Sequence, residues 1–296
     1  MATYGKHLKT ARTKANLQIK DVTEKLSITK QTLINYESSK TEVPFGRLEQ
    51  MAELYGVSID VLTKGEQLQA KVFSFINRKG GVGKTTLCNL LAVAFAQIED
   101  LRIMVIDTDS QKSTMQLADE GVHENIEVQF IDFDSNMPIS DLLEMLEENM
   151  YQFDFIFIDV MGSFSHAEAT ATIMFKSDYV IIPLEASDLA MGATFQTLGM
   201  LPEIAEKRSK KNQTFTPIGI HNKSSHTKES RSVSDLNGMM GLRLLKNKLA
   251  NRVRYKRRMS FKELPFTFEE QDEFLALVEE IKTLIEFNNA FYSIYL

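Results

Sequence analysis

The sequence predicts an α/β protein, a mostly parallel sheet flanked by helices, preceded by a small all-α domain at the N-terminus. Short continuous apolar runs such as Phe153-Asp154-Phe155-Ile156-Phe157-Ile158 and Tyr179-Val180-Ile181-Ile182-Pro183 alternate with helical patterns, as strands covered on both faces do. A glycine-rich stretch stands between the first such run and an apolar helical pattern. Residues 1–66 are instead rich in short helical patterns.

The 296 residues leave room for two domains, placed at 1–66 and 70–296. In the first, His7 to Ala15 reads as a basic helix and Ile19 to Leu26 as a second, with Val22 and Leu26 four apart. Ser27-Ile28 makes a tight turn, and Thr29 caps a third helix through Glu37. Pro44 breaks the pattern. Gly46 to Tyr55 forms a fourth helix, and Ser58 caps a fifth through Leu62. Lys64-Gly65-Glu66-Gln67 reads as a linker.

In the second domain, Val72 to Ile76 is the first strand and Leu87 to Phe95 the helix that follows. Further strands are expected at Arg102 to Ile106, Val128 to Ile131, Phe153 to Ile158, Tyr179 to Pro183 and Pro217 to His221. Leu242, Leu245, Leu249 and Val253 have the spacing of an apolar helix stripe, and Glu273 to Phe291 reads as the last helix. No internal repeat or low-complexity tract is present.

Residues 79–86 read Lys79-Gly80-Gly81-Val82-Gly83-Lys84-Thr85-Thr86 between the first strand and its helix. A glycine turn aims successive N–H groups at one point, and the helix adds its positive end there. Lys84 supplies a charge and the Thr85 hydroxyl suits Mg²⁺. This is the P-loop cradle of a nucleoside triphosphate, so the predicted fold is that of a P-loop NTPase. Lys79 is an additional lysine that an ordinary P-loop does not require. Asp107-Thr108-Asp109 and Asp159 follow apolar strands, at the carboxyl ends where parallel α/β sheets bind ligands. Carboxylates there can hold a metal's water shell or orient an attacking water. Without the P-loop, each would read equally well as a helix cap.

The formal net charge is −6, unevenly spread. Residues 97–190 hold 3 Lys/Arg against 20 Asp/Glu. Residues 205–258 hold 15 against 3, and residues 1–40 hold 8 against 3. That asymmetry suggests an anionic partner. Cys88 is the only cysteine, which excludes an intrachain disulfide and suits a reducing compartment. The N-terminus lacks an apolar signal region and no apolar stretch is long enough to span a bilayer. A cytoplasmic, nucleoid-associated protein is expected. A membrane-surface tail needs Lys/Arg on its polar face. Residues 283–296 contain none, so core packing or a dimer contact is expected there.

Leu17 to Leu26, Ile28-Thr29-Lys30-Gln31-Thr32 and Leu48 to Ser58 resemble the Cro/phage-repressor helix-turn-helix family over about 60 residues. The resemblance implies that the third helix enters the DNA major groove. Thr29, Lys30, Gln31 and Asn35 would then face bases or phosphates, while Leu33, Ile34 and Tyr36 hold the helix to its domain. The family's phosphate-binding glutamine at the start of the second helix is Ile19 here. A helical dimerisation or adaptor module fits the same pattern.

Lys79 to Thr86, Asp107-Thr108-Asp109-Ser110-Gln111, Ile158-Asp159 and Val180-Ile181-Ile182-Pro183 together resemble the ParA/Soj/MinD deviant Walker A ATPases over roughly residues 70–290. The partition ATPases are the best match, and some of them carry an N-terminal helix-turn-helix. The resemblance implies ATP and Mg²⁺ as cofactors and slow, partner-stimulated hydrolysis. It implies that Gly80, Gly81, Val82 and Gly83 cradle the phosphates and that Lys84 binds the β- and γ-phosphates. Thr85 would ligate Mg²⁺ and Thr86 would touch the α-phosphate. Lys79 would reach across an ATP-sandwiched homodimer. Asp109 would position the hydrolytic water, Asp107 would lie close to the metal, and Asp159 would support it through water. Asn222 is a candidate for the adenine edge. The family's Asp-Pro-Gln is Asp109-Ser110-Gln111 here, and its Asp-Thr-Pro-Pro is Asp159-Val160-Met161-Gly162.

The resemblance also implies nonspecific DNA binding through Arg243, Lys246, Arg252, Arg254, Lys256, Arg257 and Arg258, with steep salt dependence. A solvated face, or pairing with the acidic middle of the chain, would produce the same charge run. The implied role is DNA segregation with a centromere-binding ParB-like partner, with operator binding and autorepression by the N-terminal domain. A nucleotide-sensing transcriptional regulator and a MinD-like membrane-surface ATPase are the alternatives.

Overall fold

The computed structural model describes residues 4–15, 17–65, 69–99, 101–135, 137–162, 167–186, 188–224, 233–250, 260–264 and 271–294. They form two compact units, Met1–Ala70 with Glu147–Asp154, and Lys71–Leu146 with Phe155–Leu296.

The first unit contains α1 (Gly5–Lys14), α2 (Ile19–Leu26), α3 (Lys30–Glu37), α4 (Phe45–Tyr55) and α5 (Ile59–Lys64). Thr29 Oγ1 accepts the Thr32 N–H at 3.1 Å and starts α3. Ser27, in the left-handed region at φ 50°, ends α2. These two residues set the short turn between the helices. Leu8, Val22, Leu33, Met51 and Leu62 close the core from all five helices. Beside them Arg12 is buried and makes a two-pronged ion pair with Glu37, at 2.6 and 3.1 Å. Helix α5 runs to Lys64 and stops at Gly65, φ 72°. Glu66 and Gln67 of the expected linker lie outside the described residues.

The second unit is built on β1 (Lys71–Phe75), β2 (Ile103–Asp107), β3 (Ile126–Phe130), β4 (Phe155–Asp159), β5 (Tyr179–Leu184), β6 (Thr216–His221) and β7 (Arg243–Leu244). Every pairing is parallel, in the order β3-β2-β4-β1-β5-β6-β7. Around the sheet run α6 (Lys84–Ile98), α7 (Ser113–Asp119), α8 (Pro138–Asn149), α9 (Ala167–Lys176), α10 (Asp188–Leu198), α11 (Leu201–Ser209) and α12 (Gln271–Ile294). Helix α6 is buried continuously from Leu87 to Ala96, which explains its lack of a polar face. Phe95 of α6 packs on Phe157 of the sheet, which meets Phe73, and Phe73 is stacked on Tyr179 at 4.6 Å. Helix α12 adds Phe274, Leu277, Val278, Ile281 and Leu284 to the same core at helical spacing.

Strands β2 and β4 each run one residue beyond the apolar run that predicts them, so Asp107 and Asp159 are register partners. The expected helix over Leu242, Leu245 and Leu249 does not form, and Val253 lies outside the described residues. All three leucines are buried, but Leu242 and Leu245 flank the two-residue β7 and Leu249 follows on an irregular segment running along β6. There Leu245 N–H and Leu249 N–H donate to the carbonyls of Gly219 and His221, each at 2.9 Å. The carbonyls along this side of β6 provide for this backbone what a helix would otherwise supply. The Glu280 carboxylate accepts the Lys246 and Asn247 N–H groups at 2.8 and 2.9 Å and completes the arrangement.

Candidate functional site

The glycine loop leaves the centre of the sheet, between β1 and α6, and its entry is fixed by Asn77. The Asn77 amide donates to the Pro183 carbonyl at 2.8 Å and to Thr194 Oγ1 at 3.2 Å, and its oxygen accepts the Lys79 N–H at 3.0 Å. Gly81 and Gly83 take φ values of +73° and +96°, which glycine adopts without a Cβ penalty. Gly83 caps α6, so the free N–H groups of the helix start open into a cavity of about 440 Å³. Gly80, Lys84, Thr85, Thr86, Asp109 and Asn222 line that cavity.

Asp109 lines the cavity, and Asp107 and Asp159 sit side by side at the strand ends. Asp107 Oδ1 accepts the Asp109 N–H at 3.0 Å, and its Oδ2 accepts the N–H groups of Thr114 and Met115 at 3.1 and 3.3 Å. Thr114 Oγ1 donates to Asp159 Oδ2 at 3.3 Å, and the Thr85 hydroxyl bonds the same carboxylate. Thr108 ties the strand ends together, donating from N and Oγ1 to the Asp159 carbonyl at 3.1 and 2.9 Å. Asp109 sits on the loop beyond β2, where Oδ1 accepts the Gln111 N–H at 3.0 Å.

Burial dominates the ionisation of all three central groups. It pushes Asp159 up to about 7, against the hydrogen bond from Thr85, with the Asp107 charge adding to the rise. It raises Asp107 too, against the N–H groups of Asp109, Met115 and Thr114. It lowers Lys84, against the charges of Asp159 and Asp109. Two adjacent carboxylates, both buried, therefore lie behind the loop and the start of α6 that line the cavity, near the buried Lys84 ammonium. A cation beside Thr85 and Asp159, together with an anion over the loop N–H groups, satisfies these residues. Cys88, behind the site, is buried, and burial holds its thiol well above its ordinary range. It packs as a small hydrophobe.

Lys79 lies beside this site, its ammonium 3.7 Å from Glu185. The Asn222 amide donates to the Val82 carbonyl at 2.7 Å and its oxygen accepts the Lys223 N–H at 3.0 Å. It thus braces the loop as well as lining the cavity. In the first unit, Thr29 serves as the cap of α3, while Lys30 and Gln31 are exposed on it. Gln31 Nε2 donates to Asn35 Oδ1 at 3.0 Å, so the two present a paired amide surface. Arg243 and Lys246 are exposed. Arg252, Arg254, Lys256, Arg257 and Arg258 lie outside the described residues. Sequence reasoning misses Asn77, Thr114, Glu185 and Lys223. None belongs to a local motif, and each acquires its place from a distant strand.

Residues 73–291 match the CobQ/CobB/MinD/ParA nucleotide binding domain. The chain belongs to this family. Residues 8–62 match the helix-turn-helix family as well. Among relatives of this CobQ/CobB/MinD/ParA domain, maintenance of carboxysome distribution protein A of Halothiobacillus neapolitanus is 29% identical over 144 residues. That match spans 48% of this chain and 63% of the relative, less than two thirds of its length. A putative plasmid partition protein of Borrelia burgdorferi B31, bound to AMPPNP, shares the fold with TM-score 0.54 and 18% identity, over 73% of this chain and 99% of that one. A substituted form of Cyanothece McdA in complex with ATP gives TM-score 0.53 and 17% identity, over 72% and 97%. Among the described residues no helix is long and apolar enough to cross a membrane.

Proposed function

We propose that the chain is a DNA-segregation ATPase that binds ATP with Mg²⁺, closes into a homodimer on it, and then holds nonspecific DNA through its basic C-terminal third. The observation that carries this reading is one cavity lined by Gly80, Gly81, Gly83, Lys84, Thr85, Thr86 and Asp109, with the register partners Asp107 and Asp159 behind it and Asp159 hydrogen-bonded to Thr85. The ATP- and AMPPNP-bound neighbours of the same fold support it. Bound Mg²⁺ would neutralise charge on the transferring phosphates. The loop N–H groups and Lys84 bind and orient the phosphates, and Thr85 and Asp159 hold the metal's side of the site. Asp109 orients the attacking water from its loop. A centromere-binding partner stimulates turnover and so releases the DNA.

The test is binding to random-sequence DNA with ATP, ADP or no nucleotide, across a salt series, for wild type and Lys84→Ala. ATP-dependent, salt-sensitive binding that disappears in the variant is the expected result. Nucleotide-independent binding, or none, refutes the ATP-gated clamp.

A second reading, a nucleotide-sensing transcriptional regulator, is favoured by the exposed Lys30 and Gln31 on the capped α3 of a helix-turn-helix unit. Operator binding and autorepression by this unit are compatible with either reading. Strong operator binding without nonspecific DNA binding would select the regulator.

A further inference from the structure

We propose that Lys223 is a further phosphate-facing cation of the nucleotide site, and that Glu185 is the counter-anion that holds it and Lys79 until phosphates take them over. The inference rests on the nucleotide reading above.

Leu184 and His221 are register partners at the ends of β5 and β6. Glu185 and Asn222-Lys223 therefore leave the sheet side by side, at its ligand-binding end. Lys223 takes φ 54°, a left-handed conformation that a non-glycine residue holds only when its surroundings impose it. Its N–H is held by Asn222, whose amide in turn holds the Val82 carbonyl. From that anchored turn the Lys223 ammonium reaches back over the glycine loop. It donates to the Gly81 carbonyl and lies 3.2 Å from Glu185 Oε2. The Lys79 ammonium is 3.7 Å from the same oxygen.

One carboxylate oxygen thus serves two ammonium groups beside the loop that faces the cavity. All three side chains are three quarters or more covered, with 25%, 25% and 19% exposure for Lys79, Glu185 and Lys223. Water screens such charges less than it does on the open surface. A carboxylate shared between two ammonium groups is a poorer match than the several oxygens of a polyphosphate. A phosphate chain entering the cavity meets the Lys223 ammonium ready to transfer, and Lys79 is freed for the phosphates it would reach across the homodimer. It also meets the negative charge they leave behind. Lys223 therefore favours phosphate binding, and Glu185 opposes it in proportion to the phosphate charge brought in.

The test is calorimetric titration of the full chain with AMP, ADP and a non-hydrolysable ATP analogue in Mg²⁺, for wild type, Glu185→Gln, Lys223→Met and Lys223→Arg. Thermal unfolding of each variant checks the fold. Lys223→Met is expected to weaken the ATP analogue by about fivefold and Glu185→Gln to tighten it by about threefold, the scale of one partly screened charge pair. Both effects should shrink for ADP and vanish for AMP, and Lys223→Arg should retain wild-type affinity. Equal changes across the three nucleotides would indicate a structural role and overturn the proposal. Lys84-dependent binding that neither substitution alters would sink this proposal alone. Wild type that binds no nucleotide would sink the underlying reading and this one with it.

Discussion

Replacing Asp159 by asparagine should stabilise the nucleotide-free chain, by an amount that depends on pH. The carboxyl is fully buried and its ionisation is displaced from 3.8 to about 7. Three units of displacement correspond to about 4 kcal/mol of differential interaction between the charged and neutral forms. Well below pH 3.8 the group is neutral both folded and unfolded, and the charge contributes nothing. Between about 4 and 7 the folded chain keeps a proton that the unfolded chain has released, so wild-type stability falls as pH rises. Above 7 the whole penalty is present. The attraction of Lys84 is already contained in that displacement; the amide of the variant offsets part of the gain, because it has one oxygen to accept from Thr85 and Thr114 where the carboxylate has two. A net gain of about 2 kcal/mol at pH 8 is therefore expected, shrinking towards zero at pH 4. Urea unfolding of both proteins from pH 4 to 8.5, in EDTA and without nucleotide, measures it. A difference that does not change with pH, or a destabilisation that grows towards pH 8, would refute the reasoning. Adding Mg²⁺ and ATP should reverse the order, because the wild-type carboxylate then has a cation to face.

Other substitutions probe the scaffold and the second ligand surface. Arg12→Ala leaves Glu37 buried without its guanidinium and should cost the first unit about 3 kcal/mol, read as a lowered thermal midpoint of an isolated 1–65 fragment or as loss of its fold. Gly83→Ala places a Cβ against the Asn222 amide at φ +96°. It should lose nucleotide affinity at least tenfold by calorimetry, whereas Gly80→Ala, whose Cβ meets nothing within 4 Å, should keep the fold's stability unchanged. If the first unit reads an operator, Gln31→Ala should weaken operator binding by about 1–3 kcal/mol and relax its sequence preference. Lys30→Ala should weaken all DNA sequences alike and reduce the salt slope by about one in a filter or anisotropy titration.

The strands and the loop were legible because their information is local. A buried parallel strand announces itself in five or six consecutive apolar residues, and the loop residues that face the cavity are consecutive in the chain. The same local reading fails at Leu242, Leu245 and Leu249. Their spacing reports burial correctly but cannot reveal that β6 offers its free edge, or that Glu280 arrives from α12 to accept the intervening N–H groups. Glu185 and Lys223 are invisible for a related reason. Each is an unremarkable charged residue after a strand, and only the alignment of β5 with β6 turns the pair into a constellation. Asn222 shows the limit differently. It lines the cavity, and its amide braces Val82, an engagement that no pattern in residues 217–223 signals.

The position of β1 has a consequence for the order in which the chain assembles at the ribosome. This strand and the loop after it are synthesised before the rest of the sheet, but β1 acquires its flanking partners only when Phe155–Asp159 and Tyr179–Leu184 have emerged. Asn77 waits for Pro183, 106 residues downstream, and Val82 waits for Asn222, 140 residues downstream. A growing chain therefore carries the complete glycine motif through the synthesis of residues 87–222 without the geometry that makes it a receptor. Closure of such distant pairs is slow and comes late. The lining of the cavity is complete only after residues 222–250 have left the exit tunnel.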